Sequence, residues 1–198
     1  MNSDIYTIGH SNHDMPHFIG LLKLHQIEAV ADVRQSPYSK IAPQFNREVL
    51  KNVLISQQIS YVFLGNMLGA RPTDPECYRD GKVDFDILAR QPYFQNGLDR
   101  LRKGIQKMRL TLMCAEKDPL TCHRTILVCQ NLKCDGLRIL HILEDGELED
   151  HRDTEARLLN TLKMPTYDMF KSQNEILKDA YQRYGRKIAA SDEVLASY

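Results

Sequence analysis

A short stretch of the chain concentrates the residue types that carry thiol and acid–base chemistry. Cys114 and Glu116 follow an apolar run, and Cys122 and His123 come a few residues later. A cysteine beside cationic groups at a helix start has a lowered pKa, and its thiolate is a nucleophile. Imidazole titrates near neutral pH, so a histidine can move a proton and a carboxylate can orient it. The candidate catalytic residues are therefore Cys114, Cys122, His123, His10 and Glu116.

Two arginines and several small polar residues could bind an anionic substrate. A guanidinium offers a planar fork of donors that matches a carboxylate or a phosphate. A helix predicted to start at Thr121 would add unpaired backbone N–H groups, and Gly9 would let a ligand approach the main chain. The candidate substrate-binding residues are Gly9, Ser11, Asn12, Arg34, Arg124 and Arg71, the last of them in a predicted lid over residues 65–91.

The same residues allow interpretations that need no ligand. Arg34 could pair with Asp32, and Arg124 with Glu116, as structural ion pairs. Free cysteine is among the most buried residue types, so a cysteine that ends a strand is also a common core residue. The sequence leaves these alternatives open beside the functional ones.

A metal site is a further interpretation of the cluster. Cys114, Cys122, His123 and His10 could supply soft ligands. A paired C-x-x-C is absent, however, and neighbouring cysteine and histidine side chains project differently from a helix. We therefore assign no metal ligands and no cofactor from the sequence.

Alternating strands and helices must bring these distant residues together. This alternation is typical of βαβ units, which form a parallel sheet with helices on both faces. We predict a single-domain three-layer α/β/α fold over residues 1–146 and a helical C-terminal extension over 147–198. Ligands bind at the carboxyl ends of strands in such sheets, so the candidate residues should meet at one edge. The mainly parallel five-stranded sheet is predicted from strands at residues 5–8, 29–33, 60–64, 110–114 and 137–143.

Composition and charge exclude several classes of protein. The chain has 198 residues, with 26 basic and 26 acidic ones, so its formal net charge is zero. Nucleic-acid and anionic-membrane binding usually need excess positive charge, and neither is expected. No apolar run approaches a membrane span, and the first residues do not resemble a signal peptide. Five cysteines, an odd number, favour free thiols and a cytoplasmic location.

Four motifs, in order along residues 4–145, resemble the family defined by domain of unknown function 488. The resemblance implies a compact α/β domain and favours the shared sheet edge as the working site, but it brings no established reaction. Its most specific part is the last motif. The motifs are residues 7–12, residues 32–37, residues 61–65 with Leu68-Gly69, and Cys114-Ala115-Glu116 leading to Cys122-His123-Arg124.

Three functions fit these residues. The first is a thiol-dependent transferase or hydrolase that acts on a small anionic molecule, such as a nucleotide or a phosphorylated metabolite. The second is a non-catalytic domain that binds an anion or nucleotide, and the third is a Cys/His metal-binding protein. A homo-oligomer is compatible with all three.

Overall fold

The computed structural model describes residues 4–133 and 136–190. A six-stranded sheet forms its centre, in the order β3-β2-β6-β1-β7-β8. The first five strands in this order run parallel, and β8 pairs with β7 antiparallel. The strands are β1 (Asp4–Gly9), β2 (Ala29–Asp32), β3 (Ser60–Phe63), β4 (Tyr78–Arg79), β5 (Lys82–Val83), β6 (Leu110–Cys114), β7 (Arg138–Ile142) and β8 (Leu148–Asp150).

Helices cover both faces of the sheet and give the three layers predicted from the sequence. Asp14 caps the first helix by accepting from the backbone N–H of His17, and Pro16 lies in its first turn, as the sequence indicates. The helices are α1 (Met15–Leu24), α2 (Arg47–Ser56), α3 (Gly65–Leu68), α4 (Phe85–Arg90), α5 (Pro92–Ile105), a π-helical segment (Arg124–Cys129) that continues as α6 (Gln130–Leu132), α7 (His151–Thr161) and α8 (Gln173–Ile188).

The central strands are apolar on both faces because helices cover both. One core lies between the sheet and α1 with α2, where Ile8, Val30 and Met113 meet apolar side chains of these helices. The other lies between the sheet and α5 with the π-helical segment, where Ile5 and Leu112 are buried. Cys114 therefore points to the α5 side of the sheet, on the same face as alternate residues of β1 and β7.

The predicted extension adds a strand that the sequence analysis missed. Residues 148–150 form β8 at the sheet edge, so the sheet has six strands rather than five. The strand is three residues long and carries two acids, a composition with low strand propensity that is typical of protected edges. The α7 and α8 helices pack together over Leu120 and Ile126 in a third apolar cluster. Residues 191–198 of the extension lie outside the described residues.

The order of the parallel strands differs from that of a Rossmann sheet. In the Rossmann order β1 and β2 are neighbours, whereas here β6 lies between them and pairs with both. This arrangement places the carboxyl end of β6, with Cys114, in the middle of the sheet edge. Within the described ranges, no helix has both the length and the apolar composition needed to cross a bilayer.

Candidate metal centre

Four of the candidate residues meet at the carboxyl end of the sheet. Cys114 ends β6, and Glu116 lies two residues later in the following turn. A short 3₁₀ turn then returns the chain so that Cys122 and His123 face the same point. One ligand atom from each of the four residues lies within 4.8 Å of every other. We call this group the Cys/His/Glu cluster.

The distances within the Cys/His/Glu cluster lie on either side of those in a tetrahedral coordination shell. Oε2 of Glu116 lies 3.0 Å from Sγ of Cys114 and 2.9 Å from Sγ of Cys122. Nδ1 of His123 lies 3.6 Å from the first sulfur and 4.0 Å from the second. Tetrahedral zinc with ordinary Zn–S and Zn–N bonds places its donors about 3.3–3.8 Å apart. Small shifts of the side chains would therefore bring all four onto one ion.

A backbone contact fixes which nitrogen of His123 faces the sulfurs. Nε2 lies 3.1 Å from the carbonyl oxygen of Val33, just after β2. A carbonyl only accepts, so Nε2 carries a hydrogen and Nδ1 is the nitrogen that faces the two cysteines. Burial lowers the pKa of His123, but its contacts with Cys122 and Glu116 outweigh this and raise the pKa. Metal-bound histidines commonly donate their second N–H to a carbonyl in this way.

The two thiols have different environments. Burial opposes ionisation of Cys122, but the hydrogen bond from Cys114 and the nearby Arg124 outweigh it and lower its pKa. The backbone N–H of Arg124 also lies 3.4 Å from this sulfur. The hydrogen bond to Cys122, together with burial, raises the pKa of Cys114. The pair therefore favours a thiolate at Cys122 and a thiol at Cys114.

Arg124 is fully buried and supports the turn that carries Glu116. Its guanidinium donates to the backbone carbonyl oxygens of Glu116 and Lys117, and its Nε donates to Oγ1 of Thr7. The alternative ion pair with the carboxylate of Glu116 is not formed, because the guanidinium bonds to the main chain of that residue instead. Arg124 thus fixes the main chain of the turn that carries Glu116.

Arg34 forms the ion pair that the sequence analysis gave as the alternative to anion binding. Its Nη2 lies 2.6 Å from Oδ2 of Asp32, and both side chains are buried. The same nitrogen donates to the carbonyl of Phe45, and the hydroxyl of Tyr61 donates to Asp32. Nη1 of Arg34 donates to Nε2 of His10 at 3.1 Å. Each of the three guanidinium nitrogens of Arg34 therefore already has an internal acceptor.

His10 lies in this second group and not in the Cys/His/Glu cluster. Its Nδ1 donates to the carbonyl of Ser11, and its Nε2 accepts from Arg34. Burial and the charge of Arg34 lower the pKa of His10 to about 4, so the ring is neutral near pH 7. Its assignment as a catalytic base stays a prediction.

The other predicted substrate-binding residues lie around the edge. A Cβ at Gly9 would lie 1.9 Å from the carbonyl oxygen of Glu116, so this glycine lets β1 pack against the cluster turn. Ser11 and Asn12 form the next turn, where the serine hydroxyl donates to the asparagine side chain. Arg71 is exposed in the loop after α3, and no contact joins it to the cluster within the described chain. Substrate binding by these residues stays a prediction.

The helix predicted to start at Thr121 begins later. Asp118 caps a 3₁₀ turn by accepting from the backbone N–H of Leu120. Cys122 is extended, with φ −118° and ψ 140°, and the π-helical segment starts at Arg124. The Asp118-Pro119 pair favours a separate turn, so Thr121 lies inside that turn and does not cap the helix. The predicted lid also contains ordered elements, namely α3, the β4–β5 hairpin and α4.

A buried chain of polar groups, which the sequence analysis missed, leads away from Arg124. Thr7 donates to Nδ1 of His141 at 2.7 Å, and Nε2 of that ring meets Nδ1 of His151 at 3.0 Å. Nε2 of His151 lies 3.1 Å from the hydroxyl of Tyr181, which donates to Glu155. Every donor in this histidine chain finds an acceptor when both rings are neutral. The available signal was a histidine inside the apolar run of β7.

The fold and the cluster together define a three-layer α/β protein with a thiol, imidazole and carboxylate group at the carboxyl edge of its sheet. The family model described as "Domain of unknown function DUF488" matches residues 14–130, more than half of the chain. The chain therefore belongs to this family, as the resemblance in sequence predicts. No curated protein and no solved structure gives a significant match. The matched range includes the whole Cys/His/Glu cluster, whereas β7, β8, α7 and α8 follow it.

Proposed function

We propose that the protein binds one divalent transition-metal ion of the zinc class through Cys114, Glu116, Cys122 and His123. The observation that carries this proposal is the convergence of four donor atoms within 4.8 Å of one another. Thiolate and imidazole ligands together favour zinc over magnesium or calcium, which prefer oxygen. The sequence spacing argued against a metal because C-x-x-C is absent. In the structure, the turn between Cys114 and Cys122 folds back and brings the two cysteines together, as a C-x-x-C spacing would.

The charges in the cluster also favour a cation. A bound metal needs Cys114, Cys122 and Glu116 all deprotonated, whereas burial and their mutual contacts raise the pKa of Cys114 and of Glu116. Three negative groups at one site are costly without compensation. The Arg124 guanidinium donates to carbonyl and hydroxyl oxygens, and its charge is one of the causes that lower the pKa of Cys122. A metal ion at the centre of the four donors would compensate this charge directly.

Cadmium and cobalt titrations of metal-free protein test the proposal. The wild type should bind one equivalent, with the thiolate charge-transfer absorption of cadmium. Cys122→Ser and His123→Ala should each weaken binding by at least about tenfold, since each removes a ligand. Cys129→Ala is the matched control, because Cys129 is a buried cysteine on the adjoining π-helical segment and outside the cluster. No binding by the wild type, or equal loss in the control, would contradict the proposal.

A thiol-dependent transferase or hydrolase that acts on a small anionic molecule is the second candidate. The position of Cys122 beneath the backbone N–H of Arg124 favours it, because this contact stabilises a thiolate. Alkylation of metal-free protein with iodoacetate separates the two candidates. A nucleophile at Cys122 predicts faster labelling there than at Cys129, and resident zinc predicts that adding zinc suppresses the difference. Equal, slow labelling of both cysteines without metal would rule out the reactive thiol.

A further inference from the structure

Glu116 is held differently from the other three members of the Cys/His/Glu cluster. Cys114 and Cys122 are 3% and 1% exposed, and His123 is fixed through Val33. Glu116 is an exposed residue on a turn. Of its two carboxylate oxygens, Oε2 is the one that contacts the sulfurs. The cluster thus combines three rigid donors with one carboxylate that can leave.

The main chain of Glu116 is nevertheless fixed. Arg124 donates to its carbonyl oxygen, and Gly9 packs against the same atom. A rotation of the side chain alone would therefore move the carboxylate off the centre without disturbing the turn. Lys117 and Asp118, which follow directly, line an open hollow of about 500 Å³ that lies beside the Cys/His/Glu cluster and is not lined by its four residues. The turn that carries Glu116 consequently borders space large enough for water or a small ligand.

We infer that the proposed metal centre has one exchangeable coordination position, which Glu116 occupies in this conformation and which water or a small ligand takes when the carboxylate turns away. The inference rests on the proposed function. Structural zinc sites are closed by four protein ligands, whereas catalytic sites have three and an open fourth position. Two cysteines and one histidine are an established three-ligand set of the second kind. The centre therefore belongs with reactive or ligand-sensing metal sites and not with purely structural ones.

Cobalt-loaded full-length protein provides the test, because its visible d–d bands report coordination directly. Titration with azide, and separately with imidazole, should change the wild-type bands saturably. Glu116→Ala should still bind cobalt within about tenfold of wild type, since three rigid ligands remain. It should also bind azide more tightly than wild type, because no carboxylate competes for the position. Glu116→Gln, whose neutral amide is a weaker ligand, should lie between the two.

The outcomes distinguish a failure of the exchangeable position from a failure of the proposed metal centre. If wild type and Glu116→Ala both bind cobalt but saturating azide and imidazole leave their bands unchanged, the centre is closed and the inference is wrong. The same conclusion follows if Glu116→Ala loses cobalt as completely as Cys122→Ser does, because Glu116 would then be an essential ligand. If wild-type protein binds no cobalt, the proposed metal centre is itself wrong, and the inference falls with it.

Discussion

At the scale of single residues, each charged side chain near the sheet edge is used in a different way. Arg34 is bound to Asp32 and to a carbonyl, and Arg124 holds the turn of Glu116. Neither arrangement could be derived from the sequence, because an arginine that binds a ligand and one that pairs internally have the same residue pattern. The convergence of Cys114 with Cys122 was derivable, since Cys114 ends a predicted strand and Cys122 follows that strand closely.

Removal of one partner from the Arg34–Asp32 pair tests its structural role. Arg34→Met should destabilise the fold by about 3–5 kcal/mol, because it leaves a buried carboxylate without its partner. The double variant Asp32→Asn/Arg34→Met should recover part of this loss. Urea unfolding measures both. A single variant of unchanged stability would show that the pair contributes little and would return Arg34 to the anion-binding hypothesis.

Gly9 offers a second test at this scale. The missing Cβ would overlap the carbonyl oxygen of Glu116, so Gly9→Ala should cost about 1–3 kcal/mol of stability and weaken cobalt binding. Gly20→Ala is the control, because a Cβ there meets nothing within 4 Å on an exposed face of α1. It should be neutral or stabilise by up to about 1 kcal/mol. Equal effects of the two changes, measured by thermal unfolding, would contradict the packing account of Gly9.

At the scale of elements, the buried strands and most helices were predictable and the irregular segments were not. Long apolar runs flanked by turn residues identify β1, β2, β6 and β7, because each is covered on both faces. The edge strand β8 and the π-helical segment carry no such signal. The strand β8 depends on its pairing with β7, and the π-helical segment packs against α7 and α8, which are distant from it in sequence. The histidine chain was missed for the same reason, as its members come from four elements.

The histidine chain should make stability depend on pH. Burial lowers the pKa of His151 to about 4, with Glu155 opposing and Lys133 adding to the effect. Burial, with His151 and Arg124 nearby, lowers the pKa of His141 well below 6.5. Between pH 6.5 and about 4 the unfolded chain therefore binds protons that the folded chain does not. The contribution of these two histidines to the free energy of unfolding should be fully present above pH 6.5 and should be lost as the pH falls from 6.5 to about 4.

Urea unfolding of wild type and His151→Gln at pH 7.5 and pH 5 measures this dependence. Each histidine contributes a slope of up to about 1.4 kcal/mol per pH unit. The glutamine amide cannot titrate, so the variant should lose less stability than wild type on acidification, whatever its stability at pH 7.5. His10, with its pKa also lowered to about 4, contributes equally to both proteins. Parallel pH profiles would show that His151 does not titrate on unfolding.

At the scale of the whole molecule, the residues after the family match complete the core. The α7 and α8 helices cover Leu120 and Ile126. In the histidine chain, His151 is the hydrogen-bond partner of the buried His141, and Tyr181 is the partner of His151. Removing residues 147–198 would expose this apolar surface and leave a buried histidine without its partner. The cytoplasmic location and any homo-oligomer stay predictions at this scale.

Truncation tests whether the C-terminal residues belong to the folding unit. A chain of residues 1–146 should lose cooperative thermal unfolding, or unfold at least about 10 °C below the full chain, because it lacks one of the three apolar clusters. Circular dichroism measures the transition. A chain of residues 1–190 is the control, since it retains every contact described above. Equal transitions for the truncated and full chains would show that the first 146 residues fold independently.

X-ray absorption at the zinc edge of zinc-loaded protein tests the central claim most directly. One equivalent of zinc should show two sulfur neighbours at about 2.3 Å and two nitrogen or oxygen neighbours at about 2.0 Å. Cys122→Ser should lose one sulfur from this shell. A shell of nitrogen and oxygen alone, or no stoichiometric zinc in the protein, would contradict the Cys/His/Glu cluster as a metal centre.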